Sequence, residues 1–156
     1  MMEYYFSKSI KEIIEDFLQI VLEEKADSNN LEELNLALDR LSYSINLVKY
    51  KFDERDYPDP PERNYSEIRA VVENRFPSLG YYNIAAEIVE KIGESEVNVG
   101  DAVDDLTDIV CDLNEVIWCY ENTSTDDALW NYQNSYKTHW GRHLKTLQLY
   151  LYENLN

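Results

Sequence analysis

Apolar residues recur at three- and four-residue steps along most of this chain, the period of a helix with one buried face. Phe6, Ile10, Ile13, Ile14, Phe17, Leu18 and Val21 predict a first helix over residues 3–25. A short polar connection follows over 26–30. Asn30 with Glu33 three residues later reads as a helix start, and Leu34, Leu38, Leu41, Ile45 and Val48 carry a second helix to about residue 50. Residues 52–63, FDERDYPDPPER, hold three of the four prolines and predict an extended connection. Asn64 with Glu67 opens a third helix through Ile68, Val71 and Val72, stopped ahead of Pro77. Gly80 permits a sharp turn before Tyr81 and Tyr82.

Residues 84–99 are the least determined stretch. Ile84, Ile88 and Ile92 suit a short helix, with a loop over 93–100. Ala102, Leu106, Ile109, Val110, Leu113 and Ile117 then define a long helix ending near Glu121, with Asn98 and Asp101 as its expected cap. Ser124 with Asp127 caps a last helix whose apolar face is Leu129, Tyr136, Trp140, His143, Leu147 and Leu151. No strand pattern of comparable length appears. The expectation is an all-α fold: one all-helical domain over 1–156, a bundle of five or six helices with a proline-rich loop after the second.

Charge sharpens this picture. The 156 residues carry 31 acids against 14 bases, a formal net charge of −17, yet 44% are hydrophobic. The chain can therefore build a core and is no disordered acidic tail. So acidic a surface argues against direct binding to nucleic acid or to an anionic membrane and suits a basic partner or bound cations. Between Pro77 and Tyr136 there are 13 acids and one base, Lys91; from Lys137 onward come three bases, one acid and both histidines. The terminal segment is the natural neighbour of the acidic stretch. The N-terminus, MMEYYFSKSIKEII, has charges throughout, which predicts neither a signal peptide nor a membrane span. Cys111 and Cys119 lie about 12 Å apart along one helix, too far for a disulfide. A reduced, cytoplasmic setting is expected.

Candidate chemistry centres on GDAVDDLTDIVCDLNE (100–115). Asp101, Asp105, Asp108, Asp112 and Glu115 recur at helical steps, and like charges so placed repel by a few tenths of a kcal/mol per pair. A helix selected for stability alone would interleave lysines. Asp105 and Asp112 lie nearest the apolar boundary and are best placed to meet a neighbouring helix. His139 and His143 are one turn apart, a common metal-ligand spacing. Gly141 between them costs about 1 kcal/mol relative to alanine in a helix, so something should approach closely there. Asp101, Asp105, Asp108, Asp112, His139 and His143 are thus candidate ligands of a divalent cation. Glu87 and Glu90 followed by Asp105 and Asp108 also read as ExxE and DxxD, the carboxylate pairs with which all-α nucleotide pyrophosphohydrolases hold Mg²⁺. The competing expectation for the histidines is a plain His–Asp hydrogen bond between packed helices. Acidic neighbours argue against catalysis by either cysteine.

At FPSLGYYN (76–83), GDAVDDLTDIVCDL (100–113) and ALW…HWGRH (128–143), the chain resembles the bacterial domain-of-unknown-function family 5063. The segment DYPDPPE (56–62) is similar to that family's proline-rich loop. The resemblance implies a small, cytoplasmic, all-helical bacterial protein and brings no catalytic residues with it. Its phrases coincide with Asp101, Asp104, Asp105, Asp108, Asp112, Trp130, His139, Trp140, Gly141 and His143.

Two functions follow as expectations. The first is a non-enzymatic interaction protein that binds a basic protein through Asp101, Asp105, Asp108, Asp112 and Glu115, with Tyr57, Tyr81 and Tyr82 as further contacts. The second is a metal-dependent hydrolase or metal-binding domain that uses the Asp stripe with His139 and His143.

Overall fold

In the computed structural model, residues 8–23 and 28–156 are described. Among them the chain runs α1 (Ile10–Leu22), α2 (Leu31–Ser44), a 3₁₀ turn (Ile45–Leu47), α3 (Tyr65–Arg75), β1 (Tyr81–Ala85), β2 (Val97–Asp101), α4 (Ala102–Asn122), α5 (Thr125–Ser135), a π-helical turn (Tyr136–Trp140) and α6 (Gly141–Leu155). The protein is mostly helical, as its periodicity predicts. It is not purely all-α, because β1 and β2 form an antiparallel hairpin.

Three helix starts follow from their caps. The side chains of Asn30, Asn64 and Ser124 accept from the backbone N–H of Glu33, Glu67 and Asp127. Each satisfies a donor that the first helical turn leaves open. The first helix starts later than its apolar stripe suggests. Ser9 and Glu12 make a reciprocal capping box that fixes the start at Ile10. Phe6, the rest of the predicted stretch 3–7 and residues 24–27 lie outside the described residues. The second helix ends at Ser44, short of residue 50, in the 3₁₀ turn.

The hairpin corrects the expected helix over 84–92 and the loop over 93–100. Three isoleucines at four-residue steps fit a helix, but the register pairs Tyr82 with Gly100 and Ile84 with Asn98. A Cβ on Gly100 would sit 2.3 Å from the Tyr82 ring, so glycine lets that ring lie across the neighbouring strand. Lys91 and Gly93, both at positive φ, turn the chain, and Glu94 N–H donates to the Lys91 carbonyl at 2.8 Å. A nine-residue helix with little to pack against does not outweigh its nucleation cost. Asn98 consequently lies in β2, and Asp101 alone caps α4, accepting from Val103 N and Asp104 N at 3.0 and 3.3 Å.

Helix α4 is central, in contact with α1, α3, α5 and α6. Its Leu106, Ile109, Val110 and Leu113 are fully buried in one cluster with Phe17, Leu38, Phe76, Trp140 and Leu147.

The long terminal helix is not uniform. Tyr132 and Trp140 are both fully buried although eight residues apart, which in a regular helix would leave them roughly 80° out of phase. The π-helical turn takes up this difference. Gly141 N–H reaches back to the Tyr136 carbonyl, and a Cβ on Gly141 would lie 2.4 Å from that same oxygen. The close approach expected at Gly141 is therefore made by the helix's own wide turn. The buried face accordingly runs through Ala128, Tyr132, Trp140, Leu144, Leu147 and Leu151, whereas Leu129, Tyr136 and His143 are only partly buried.

Candidate metal centre

The acidic face of α4 is largely engaged from inside the molecule. At its N-terminal end Asp101 caps the helix and also accepts from Arg69 Nη2 at 2.8 Å. Tyr65, one turn before Arg69 on α3, donates its hydroxyl to Asp104. Burial and that hydrogen bond push the Tyr65 phenol up to about 12, so it stays a donor. Sequence reasoning missed Tyr65 and Arg69. Their four-residue spacing on one helix was the available signal, but nothing local says that α3 packs beside α4.

One turn along, Asp105 is 5% exposed. Its Oδ1 lies 2.7 Å from His143 Nδ1, and its Oδ2 accepts from the Tyr82 hydroxyl. The carboxylate is thus held from both sides, by the hairpin and by α6. Asp112, two turns further, lies 2.7 Å from His139 Nδ1. Both histidines have their Nδ1 occupied by a carboxylate, which leaves each Nε2 for another partner.

Asp108 sits between these pairs. Its Oδ2 lies 3.3 Å from His143 Nε2. The two imidazoles meet edge to face, with centroids 4.9 Å apart. One ligand-capable atom from each of Asp108, His139 and His143 lies within 4.8 Å of the others. The side chains of His139 and His143 are 48% and 23% exposed, so the cluster opens to solvent on one side.

The electrostatics follow from this packing. Burial raises the Asp108 carboxyl, and nearby Asp104 adds to the rise while both histidines oppose it. Burial likewise raises Asp112, against the pull of His139. The hydrogen bond that His143 donates to Asp105 raises its pKa against the desolvation that would lower it. Cys111 is pushed up to about 11, by burial first and then by Asp108 and Asp112, so its thiol is protonated at neutral pH.

The other sequence candidates are scattered. Asp101 is committed to Arg69 and the helix cap, away from the His–Asp cluster. Glu115 is exposed as a residue, while partial desolvation by its neighbours and then the charge of Asp112 raise its carboxyl pKa. Tyr57 donates to Asp53 Oδ2 at 2.7 Å within the proline-rich loop. Tyr81 is exposed on the hairpin, whereas Tyr82 points inward against Tyr150, ring centroids 5.5 Å apart. Glu87 and Glu90 stand in the hairpin turn, where Glu87 pairs with Lys91 at 2.9 Å. With no helix there, the facing ExxE and DxxD pairs of the pyrophosphohydrolase pattern do not form.

The domain-of-unknown-function family DUF5063 matches residues 6–153, nearly the whole chain. The protein belongs to this family. No curated protein matches the chain significantly. Among solved structures, the chain is similar to the crystal structure of protein BF1032 from Bacteroides fragilis, at 15% identity and a TM-score of 0.72, over 95% of this chain and 92% of that one. At that identity the likeness is one of fold. This DUF5063 chain therefore takes its functional reading from its own side chains. Among its described residues, no helix is long and apolar enough to cross a membrane.

Proposed function

We propose that this DUF5063 protein binds a divalent cation through Asp108, His139 and His143. The observation that carries this reading is the convergence of three ligand-capable side chains, within 4.8 Å of one another, with a carboxylate on the Nδ1 of each imidazole. Metal-bound histidines characteristically give their second nitrogen to such a partner, which fixes the ring and makes it a better ligand. Asp105 and Asp112 have that role here. Without the cation, a proton on His143 Nε2 faces Asp108; a metal ion takes that proton's place.

Two imidazoles and one carboxylate suit Zn²⁺ or Fe²⁺ better than Mg²⁺ or Ca²⁺, which favour all-oxygen sets. Three protein ligands on a solvent-facing side leave coordination positions for water, the composition required for metal-assisted hydrolysis. Docking of a basic partner on the Asp stripe is less well supported. Asp101, Asp104, Asp105 and Asp112 each already hold an internal partner, and of the stripe only Glu115 is exposed.

Isothermal calorimetry on chelator-stripped protein tests the reading. Zn²⁺ should bind at one site with micromolar or tighter affinity, Mn²⁺ more weakly and Mg²⁺ more weakly still. Asp108→Asn and His139→Ala should each weaken binding at least tenfold while the circular dichroism spectrum is retained. Equal affinity in wild type and both variants would sink the proposal.

A further inference from the structure

Among the described residues, a cavity lies between the hairpin and the outer side of the π-helical turn and α6. It is an open groove of about 460 Å³. Ile84 and Ile88 of the hairpin and Leu149 of α6 supply apolar walls, and Lys137, Arg142 and Lys145 supply charge. No acid lines it, in a chain where acids outnumber bases 31 to 14. Among the described residues, none of the three cations has a carboxylate partner; Lys145 donates to the Ser42 hydroxyl instead. The apolar surface continues onto the hairpin tip, where Ile88, Val89 and Ile92 are exposed.

The shape narrows the occupant. Gly141, Lys145 and Leu149 follow one another at four-residue steps, a single row along α6, and Lys137 precedes that row in the π-helical turn. The row from Gly141 to Leu149 spans roughly 12 Å at 1.5 Å per residue. Rows at this spacing are the ridges against which a second helix packs. A small anion would leave most of that length and the isoleucines uncovered. The net charge of −17 does not forbid an acidic ligand, because charges more than about 8 Å away are screened at physiological ionic strength.

We infer that this groove docks an acidic amphipathic helix of a partner protein, with its apolar stripe against Ile84, Ile88 and Leu149 and its flanking carboxylates on Lys137, Arg142 and Lys145. Recognition is of the helix-in-groove kind, in which apolar anchors give affinity and charges give register. The inference is independent of the cation site.

Fluorescence anisotropy with a labelled 18-residue peptide tests it, with Leu at i, i+3, i+4 and i+7 positions flanked by Glu, and with a Lys-flanked counterpart. The Glu peptide should bind saturably and lose at least tenfold in affinity between 50 and 300 mM NaCl. Binding should vanish in Lys137→Glu/Arg142→Glu and fall in Ile88→Asp, both folded by circular dichroism, and persist in Asp108→Asn. Failure of the Glu peptide to bind, or equal binding to the charge-reversed variant, overturns the inference. So does displacement of the Glu peptide by the Lys peptide. If sedimentation velocity shows a dimer that Lys137→Glu/Arg142→Glu dissociates, the occupant is a second copy and the assignment to a partner helix is overturned.

Discussion

Asp105 holds His143 Nδ1 at 2.7 Å from a position that is itself 5% exposed. A carboxylate this buried is tolerated only because both of its oxygens are engaged, one by the imidazole and one by Tyr82. The hairpin, the central helix and the terminal helix therefore meet at one side chain.

Replacement of Asp105 by Asn should retain the fold and lower cation affinity about tenfold to a hundredfold, the usual effect of losing an outer-shell partner. Tyr82→Phe should have the same sign and a smaller size, because it frees one oxygen of Asp105 without releasing His143. Calorimetry on the three proteins under one buffer gives the order.

The metal-free protein should depend on pH through His143. Its pKa is raised by the hydrogen bond to Asp105. That stabilisation is complete below the unfolded value of about 6.5 and is lost as pH rises through the higher folded value. NMR titration of the His143 ring protons should give a midpoint above that of an unfolded histidine. A midpoint below it would contradict the geometry. Because the cation displaces this proton, binding at neutral pH should release protons, seen as a buffer-dependent binding enthalpy.

Gly100→Ala should be destabilising by about 1–3 kcal/mol, the cost of forcing a methyl group into a filled site. The Tyr82 ring, 2.3 Å from the added atom, must leave its place across β2 and so must leave Asp105. Cation affinity should fall with stability. In a Tyr82→Ala background the same glycine change should cost much less in thermal denaturation, since the clash has gone.

Asp53 should anchor the proline-rich loop. It accepts from Arg55 Nη2 at 2.8 Å, Tyr57 at 2.7 Å and the Ser124 hydroxyl at 2.5 Å. These hydrogen bonds, Arg55 first, hold its carboxyl far below the usual carboxylate range. The anchoring is thus present above the ordinary aspartate range and fails only as pH falls through the depressed folded value. Asp53→Asn should speed amide hydrogen exchange over residues 51–57 at neutral pH while exchange in α4 stays unchanged.

Much of the helical frame was legible in the sequence because its determinants are local. Asn30, Asn64 and Ser124 cap the donors three residues on, and apolar residues at three- and four-residue steps mark one face whatever they pack against. The hairpin was not legible. Ile84, Ile88 and Ile92 satisfy a helical period, and what overrides it is the Tyr82–Gly100 crossing, a contact between residues 18 apart that has no local signature. The π-helical turn was equally hidden, although Gly141 marked its place.

By itself, the sequence determined the central acidic helix, the two histidines one turn apart and the charge imbalance that makes them neighbours, because spacing along a helix fixes which side chains share a face. Only the tertiary structure decided which carboxylate meets which imidazole. Asp105 and Asp112 take the Nδ1 atoms, Asp108 faces Nε2 of His143, and Asp101 and Asp104 are drawn off by Arg69 and Tyr65. That division depends on the rotation and height of α6 and α3 against α4. Core packing of Trp140, Leu144 and Phe76 sets both, and no local pattern encodes them.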